Sequence, residues 1–513
     1  MQISNRIAAP ILALCLSALL CVQCVRGQES QVVLDQQNSG FAVRGMHIDL
    51  RTQVMTMQAL HELADKMQEG GMNTLVMEWE AAFPFEKNAT LCNAHTYTRD
   101  EVKEFVSYCE TRGIDVIPLQ NCFGHCDYIL RHPRYAGIRE DRRDFSQVCP
   151  LRGDKCEETF RSIFSDVLAL HNSKYIHIGC DETRLLGKCK RCAKYLESHS
   201  VSELFVQYVS RMCALAESFG KIPVIWADIL LKYPEAIDQL PKNLVVMDWN
   251  YGWSWDKFGD VSNVLNAGLT MWGAPALRSN PDNIYQVDWA KHLGNLEDYV
   301  DSCRTLGFEG IILTSWSTSG VYGQIVDSGK WEINEMQPVR EVYPLSAFDM
   351  LQRAFCESVA APGFDGKTYV RRYAKEHFGF DEAGQDALEA YYYLPTSAPL
   401  EDALAVREAF CKCRPAKEKA DYRQLTLALD IHINYLKFRD LESRYESASF
   451  SLSEASDLYS EASSILREAK ALRRRFAKLN GSYLKDTATP LGKNSYVSRL
   501  EFVCNNLKTI IYL

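Results

Sequence analysis

Residues 41–80 read FAVRGMHIDLRTQVMTMQALHELADKMQEGGMNTLVMEWE. Two β-rich runs, 41–50 and 73–80, enclose an amphipathic stretch over 54–69, which predicts a strand–helix–strand unit. The same rhythm continues along the chain. Further runs lie at 114–120, 174–180, 221–228, 243–250, 267–274 and 309–316. Helices are predicted over 99–112, 157–171, 202–219 and 296–306; the segments after the fifth and sixth runs are shorter. Val, Ile and Leu fill the middles of the runs, as parallel strands covered on both faces require. Eight such alternations predict a (β/α)8 TIM barrel. A doubly wound open sheet is the alternative, but no G-x-G-x-x-G turn follows the first run, which argues against a dinucleotide site.

The pattern changes near 338–346, beyond which Ala, Leu, Glu, Lys and Arg dominate and long helices are predicted over 418–446 and 452–479. The chain therefore divides into an export signal (1–27), a barrel (28–345) and an α-helical C-terminal domain (346–513) that supports the barrel. The signal rests on Arg6, the apolar run from Ile7 to Val22, and Gly27 at a cleavage point. The product is expected to be secreted or otherwise exported, with no membrane contact after cleavage. An apolar content of 47% with 24% charged residues excludes a largely disordered chain. A net charge of −9 without long runs argues against a nucleic-acid partner held by a general basic field. Three of the 18 cysteines lie in the signal, leaving fifteen. In an exported protein some of these are expected to pair as disulfides. Two sequons, at Asn88 and Asn480, are candidate glycan sites in a eukaryotic host.

Polar and aromatic residues gather at the C-terminal ends of the predicted strands, where barrel enzymes place their sites. Arg44, His47 and Asp49 lie along the first run. Glu78 and Glu80 end the second, and Asn121 to His125 follow the third. Asp181 and Glu182 follow the fourth. Trp226 and Asp228 end the fifth, Asp248 to Tyr251 the sixth, Trp272 the seventh and Trp316 the eighth. Carboxylates beside flat aromatic faces suit sugar chemistry, because rings stack on a pyranose while carboxylates bind hydroxyls or move protons.

The segment HIGCDE at 177–182 resembles the H-x-G-G-D-E signature of glycoside hydrolase family 20, the β-N-acetylhexosaminidases, with Cys180 in place of the second Gly. RGMHID (44–49), EAAFPFE (80–86) and FGH (123–125) resemble the same family in the same order, nearest its hexosaminidase D-like branch. The resemblance implies hydrolysis of terminal β-linked N-acetylhexosamine, GalNAc or GlcNAc, from a glycan or glycoconjugate, without a cofactor. It also implies substrate-assisted retention, in which the substrate's acetamido oxygen replaces an enzyme nucleophile. Asp181 would orient the acetamido group, and Glu182 would act as general acid and base. Of the two, Glu182 is expected to be the one held protonated. Arg44 would bind sugar hydroxyls, unless it is spent on an ion pair with Glu78 or Glu80. His125 would stand beside the substrate, while Trp226, Trp249 and Trp316 would wall the acetamido pocket. The family's Tyr after the seventh strand is missing here; Tyr251 and Tyr285 are the candidates to replace it. Its Glu after the eighth-strand Trp is also missing. A glycan-binding protein that kept the barrel without turnover is the competing class. Cys189 and Cys192 form a C-x-x-C that suits a disulfide first, half a zinc site second and redox catalysis last, with Cys122, Cys126, Cys149, Cys156 and Cys180 in neighbouring loops.

Overall fold

The computed structural model describes residues 40–317, 341–487 and 496–512, and the backbone of a strand pair at 322–323 and 337–338. The predicted export signal lies outside the described residues. Strands β1 (Val43–Asp49), β2 (Thr74–Glu78), β3 (Asp115–Leu119), β4 (Tyr175–His177), β5 (Ile222–Trp226), β6 (Val245–Trp249) and β7 (Thr270–Ala274) pair in sequence order, all parallel. A short β8 (Ala276–Arg278) and β9 (Gly310–Ser315) complete the sheet. β9 pairs with β7 on one side and with β1 on the other, which closes the ring. The chain steps sideways at Pro275, so β8 continues along β9 where β7 leaves it. The eight runs read from the sequence are the eight staves of this barrel.

Its interior is filled, not hollow. Val76, Ile117, Tyr175, Val224, Trp226, Met247, Trp272 and Ile312 form one buried cluster within the ring. β1 and β2 approach closely at Gly45, where a Cβ would lie 1.9 Å from the Thr74 carbonyl oxygen, so no other residue fits. The surrounding helices are set by their caps. Thr98 with Glu101, and Ser200 with Glu203, form complete capping boxes. Thr56 caps Met57–Glu69, which is why that helix starts later than its apolar pattern. Asp288 caps Trp289–Thr305, so this helix starts seven residues before the expected 296 and carries Gly294 inside it.

Among the described residues seven α-helices follow, from Asp349–Ala360 to Tyr496–Ile511. The two longest, Lys419–Tyr445 and Ala455–Asn480, occupy the stretches expected from composition. They are bound to the barrel by buried polar groups as well as by packing. The fully buried Arg278 donates to Ser315 Oγ (2.8 Å), Gln53 Oε1 (2.7 Å) and the Tyr343 carbonyl (2.8 Å). Gln53 in turn donates to the Val342 carbonyl. Tyr285 stacks on Tyr435 at 3.9 Å, and Lys66 pairs with Asp349 at 2.8 Å.

Two expectations are corrected. All fifteen cysteines from Cys92 onward are free thiols, so none of them forms the expected disulfides. Both sequon asparagines are buried and bonded. Asn88 Nδ2 donates to Ser162 and Asp166, while Asn480 Oδ1 accepts from Ser346 and Gln424. Neither can carry a glycan in this fold. No helix among the described residues is long and apolar enough to cross a membrane.

Arg278→Ala would strand the Gln53 and Tyr343 acceptors in the interior. Losing charge-assisted hydrogen bonds of this kind should destabilise the protein by on the order of 3 kcal/mol, read as a lowered urea midpoint. An unchanged midpoint would mean that Arg278 does not join the two parts of the chain.

Candidate active site

The loops after β3 and β4 meet at the C-terminal mouth of the barrel. Gly124 makes this possible, since a Cβ there would lie 2.2 Å from the Asp181 carbonyl oxygen. Gly179, at φ +73°, turns the chain out of β4 against Asn121, and the Gly179 N–H donates to His177 Nδ1 at 3.1 Å. His177 is a buried prop under this loop, 4.5 Å from the Trp226 ring, and burial lowers its pKa to about 3. It therefore stays neutral, as accepting from Gly179 requires.

His125 Nε2 stands 3.2 Å from Asp181 Oδ2 and 3.3 Å from Glu182 Oε2. Burial alone would lower its pKa. The charge of Asp181 and hydrogen bonds to both carboxylates raise it well above the usual range instead. Burial would raise Glu182, but His125, through its bond and its charge, and then Arg184 bring it down to about 2. This reverses the expectation that Glu182 is the protonated carboxyl; in the free protein the proton belongs to His125. Behind the pair, Asp228 Oδ2 accepts from the Glu182 backbone N–H at 3.1 Å. Burial and the Asp181 charge push Asp228 up to about 7.

Asp181 Oδ1 is buried with no partner among the described residues, as is Trp249 Nε1. A wall of aromatic rings faces them. Trp316 Nε1 donates to the Tyr251 hydroxyl at 2.7 Å, and Tyr251 packs 5.4 Å from Trp249. Trp226 lies beneath, fully buried and 5.7 Å from Trp316. Beside Trp316, with the Arg51 guanidinium 6.0 Å from its ring, the rim is ionic. Arg51 pairs with Glu78 (2.9 Å), Glu80 (3.2 Å) and Asp49 (3.5 Å), while His47 Nε2 bonds Glu78 Oε2 at 3.2 Å. Burial would raise Glu78, but Arg51 and His47 hold it down at about 2.

Residues 41–285 match the family model described as "Glycosyl hydrolase family 20, catalytic domain". Over these residues the barrel resembles the catalytic domain of glycosyl hydrolase family 20. Among curated relatives, Hexosaminidase D of Homo sapiens is 27% identical over 308 residues, 56% of this chain and 62% of that protein. Hexosaminidase D of Bos taurus is 26% identical over 295 residues, 53% of this chain and 84% of that protein. The chain thus spans less than two thirds of the human relative. A solved structure of the family 20 β-N-acetylhexosaminidase from Streptomyces coelicolor superposes with a TM-score of 0.48 at 16% identity, covering 69% of each chain.

Of the residues singled out in the family 20 sequence pattern, Asp181, Glu182, His125, Trp249, Trp316 and Tyr251 converge at the mouth, with Trp226 as their floor. Arg44 does not. It sits at the start of β1, at the other end of the barrel, where its guanidinium donates to the carbonyls of Phe41 (2.7 Å) and Gly71 (3.3 Å). The strand places its first residues at the bottom and its last at the mouth, so of these two arginines it is Arg51, just past β1, that reaches the site. The acidic residues around it were visible in the sequence, but which arginine lies past the strand depends on where β1 ends, and that is set by its paired register. Tyr285 stacks on the helical domain and is also out of reach.

The His125 contacts have a definite pH signature. The raised His125 pKa contributes stability that is fully present below its usual 6.5 and is lost as pH rises through the folded value. The depressed Glu182 pKa contributes stability present above its usual 4.5 and lost as pH falls through about 2. The stability gap between wild type and His125→Ala should therefore be widest between pH 4.5 and 6.5, narrowing on both sides, in urea unfolding at a series of pH values. A gap independent of pH would show that His125 holds no proton for the two carboxylates.

Proposed function

We propose that the chain is a β-N-acetylhexosaminidase that removes terminal β-linked GalNAc or GlcNAc by substrate-assisted, retaining catalysis. The observation that carries this reading is the division of labour within one pair of adjacent carboxylates. Asp181 keeps one buried oxygen unpartnered, while Glu182 shares a protonated imidazole with it. The relatives named above support the sugar class.

In this reading the acetamido N–H of the bound sugar donates to Asp181 Oδ1. That hydrogen bond aims the acetamido carbonyl oxygen at the anomeric carbon and offsets the positive charge that grows on nitrogen as the oxazolinium ring closes. The hydroxyl of Tyr251 accepts from Trp316, and its own proton, which faces Thr314 in the free protein, would turn to that carbonyl oxygen when the sugar binds. Tyr251 thereby takes the place of the family tyrosine missing after β7. Trp249, Trp316 and Trp226 enclose the acetamido methyl and exclude water. Arg51, with its carboxylates, faces the hydroxyls.

Glu182 must deliver a proton to the leaving oxygen, yet it is ionised in the free protein. The proton it lacks is 3.3 Å away on His125. An aglycone entering the mouth separates Glu182 from Arg184 and desolvates it, and both effects raise its pKa. The proton then passes from His125 Nε2 to Glu182 and on to the glycosidic oxygen. Glu182 later takes a proton from the water that opens the oxazolinium ion.

Turnover of aryl β-GalNAc and aryl β-GlcNAc tests the reading. Asp181→Asn should lose roughly 10²–10⁴-fold in kcat, and Glu182→Gln a comparable factor on substrates with poor leaving groups. A thiazoline analogue of the cyclised sugar should inhibit the wild type. Folded protein that binds N-acetylhexosamine without turning it over would make the chain a glycan-binding protein instead.

A further inference from the structure

We propose that Glu140, Cys149, Cys189 and Cys192 form a structural zinc site that clamps the two catalytic loops together. The four donor atoms lie within 4.8 Å of one another. Cys149 Sγ is 3.5 Å from Cys192 Sγ and 3.6 Å from Cys189 Sγ, and Cys192 Sγ is 3.4 Å from Glu140 Oε2. A tetrahedral ion with bonds of about 2.3 Å to sulfur and 2.0 Å to oxygen sets sulfurs about 3.8 Å apart and sulfur and oxygen about 3.5 Å apart. A disulfide would need about 2.05 Å and would use only two of the three thiols. These three spacings are close to the edges of a coordination tetrahedron, and the remaining pairs lie within 4.8 Å.

The charge pattern points the same way. Glu140 is a buried carboxylate with no Lys, Arg or His partner among the described residues. Burying such a group without a cation is costly. The other acidic cluster, Asp349 with His377 and Asp421, already has its cations in Lys66 (2.8 Å) and Arg353 (2.7 Å) on Asp349. At Glu140 the missing positive charge is supplied by the ion. Soft thiolates in a tetrahedron select zinc over hard divalent ions.

The surroundings orient the donors. The Cys189 N–H donates to Glu140 Oε1 at 2.8 Å, which turns Oε2 toward the sulfurs. Cys189 also caps the short helix Lys190–Tyr195, with its sulfur accepting from the Cys192 N–H. Leu151, Leu186, Leu204 and Leu196 pack around the sulfurs. On binding, the three thiols release their protons to solvent and Zn²⁺ takes three thiolates and one carboxylate.

Position gives the site its consequence. Glu140 and Cys149 lie on a hairpin of the β3–β4 connection, the loop that also carries His125. Cys189 and Cys192 follow Asp181 and Glu182 in the next loop. Gln147, on the same hairpin, accepts from the Leu185 N–H at 2.8 Å. An ion here fixes the distance between His125 and the two carboxylates while touching no substrate.

Elemental analysis of the full-length chain, expressed with zinc and passed through gel filtration, should find about one zinc per chain. Cys149→Ser and Cys192→Ser should each lose most of it, while Glu140→Cys, which completes a four-thiolate site, should keep it. Replacing zinc by cobalt in the wild type should give thiolate-to-cobalt charge-transfer absorption, a readout that needs no variant to fold. Removing zinc with a chelator should lower the melting temperature. Wild-type protein free of zinc, or a Cys149–Cys192 disulfide in a non-reducing peptide map, would overturn the proposal. So would zinc retained in full by both serine variants.

Discussion

The backbone of Gly124 lies directly against the carbonyl of Asp181, and the site depends on that contact. Two loops from adjacent staves can touch there only because one of them offers no side chain. Once they touch, the next residue, His125, rises between Asp181 and Glu182, and one imidazole serves two carboxylates. A longer separation would leave two independent acids and an idle base. The zinc cluster proposed on the far side of the same loops acts on the same distance from the other direction.

The backbone carries the mark of this arrangement. Glu80, His125, Cys180 and Glu182 all have positive φ without being glycine, and all stand on loops at the barrel mouth. Each such conformation is unfavourable by on the order of 1–3 kcal/mol and persists because the surroundings dictate it. At Glu182 and His125 the strained residues are themselves the polar groups of the site. Cys180 stands where the family signature has a second glycine, so its buried thiol accepts a turn that a glycine would make without strain.

Much of this was legible in the sequence. The eight staves show because a strand buried on both faces must be apolar through its middle, and the motif at 177–182 marks the loop that carries Asp181 and Glu182. What the sequence did not disclose depends on where a strand ends. Arg44 and Arg51 differ by one strand length, and only the paired register of β1 tells which arginine reaches the mouth. The protonation pattern was hidden for a similar reason: two neighbouring acids suggest repulsion, whereas the structure places a histidine between them and an arginine beside one. The fate of the cysteines turns on separations in space, which a C-x-x-C spacing alone leaves open.

The two buried sequons bear on how the chain must mature. Asn88 holds Asp166 and Ser162 on the barrel, and Asn480 ties Gln424 and Ser346 together in the helical domain. An enzyme that attaches sugar to asparagine could reach either residue only before the fold closes over it. A glycan added at that moment would then stand where a helix has to pack. In any compartment that glycosylates proteins, folding and modification of this chain are therefore mutually exclusive outcomes in a race, and the native molecules are those that folded first.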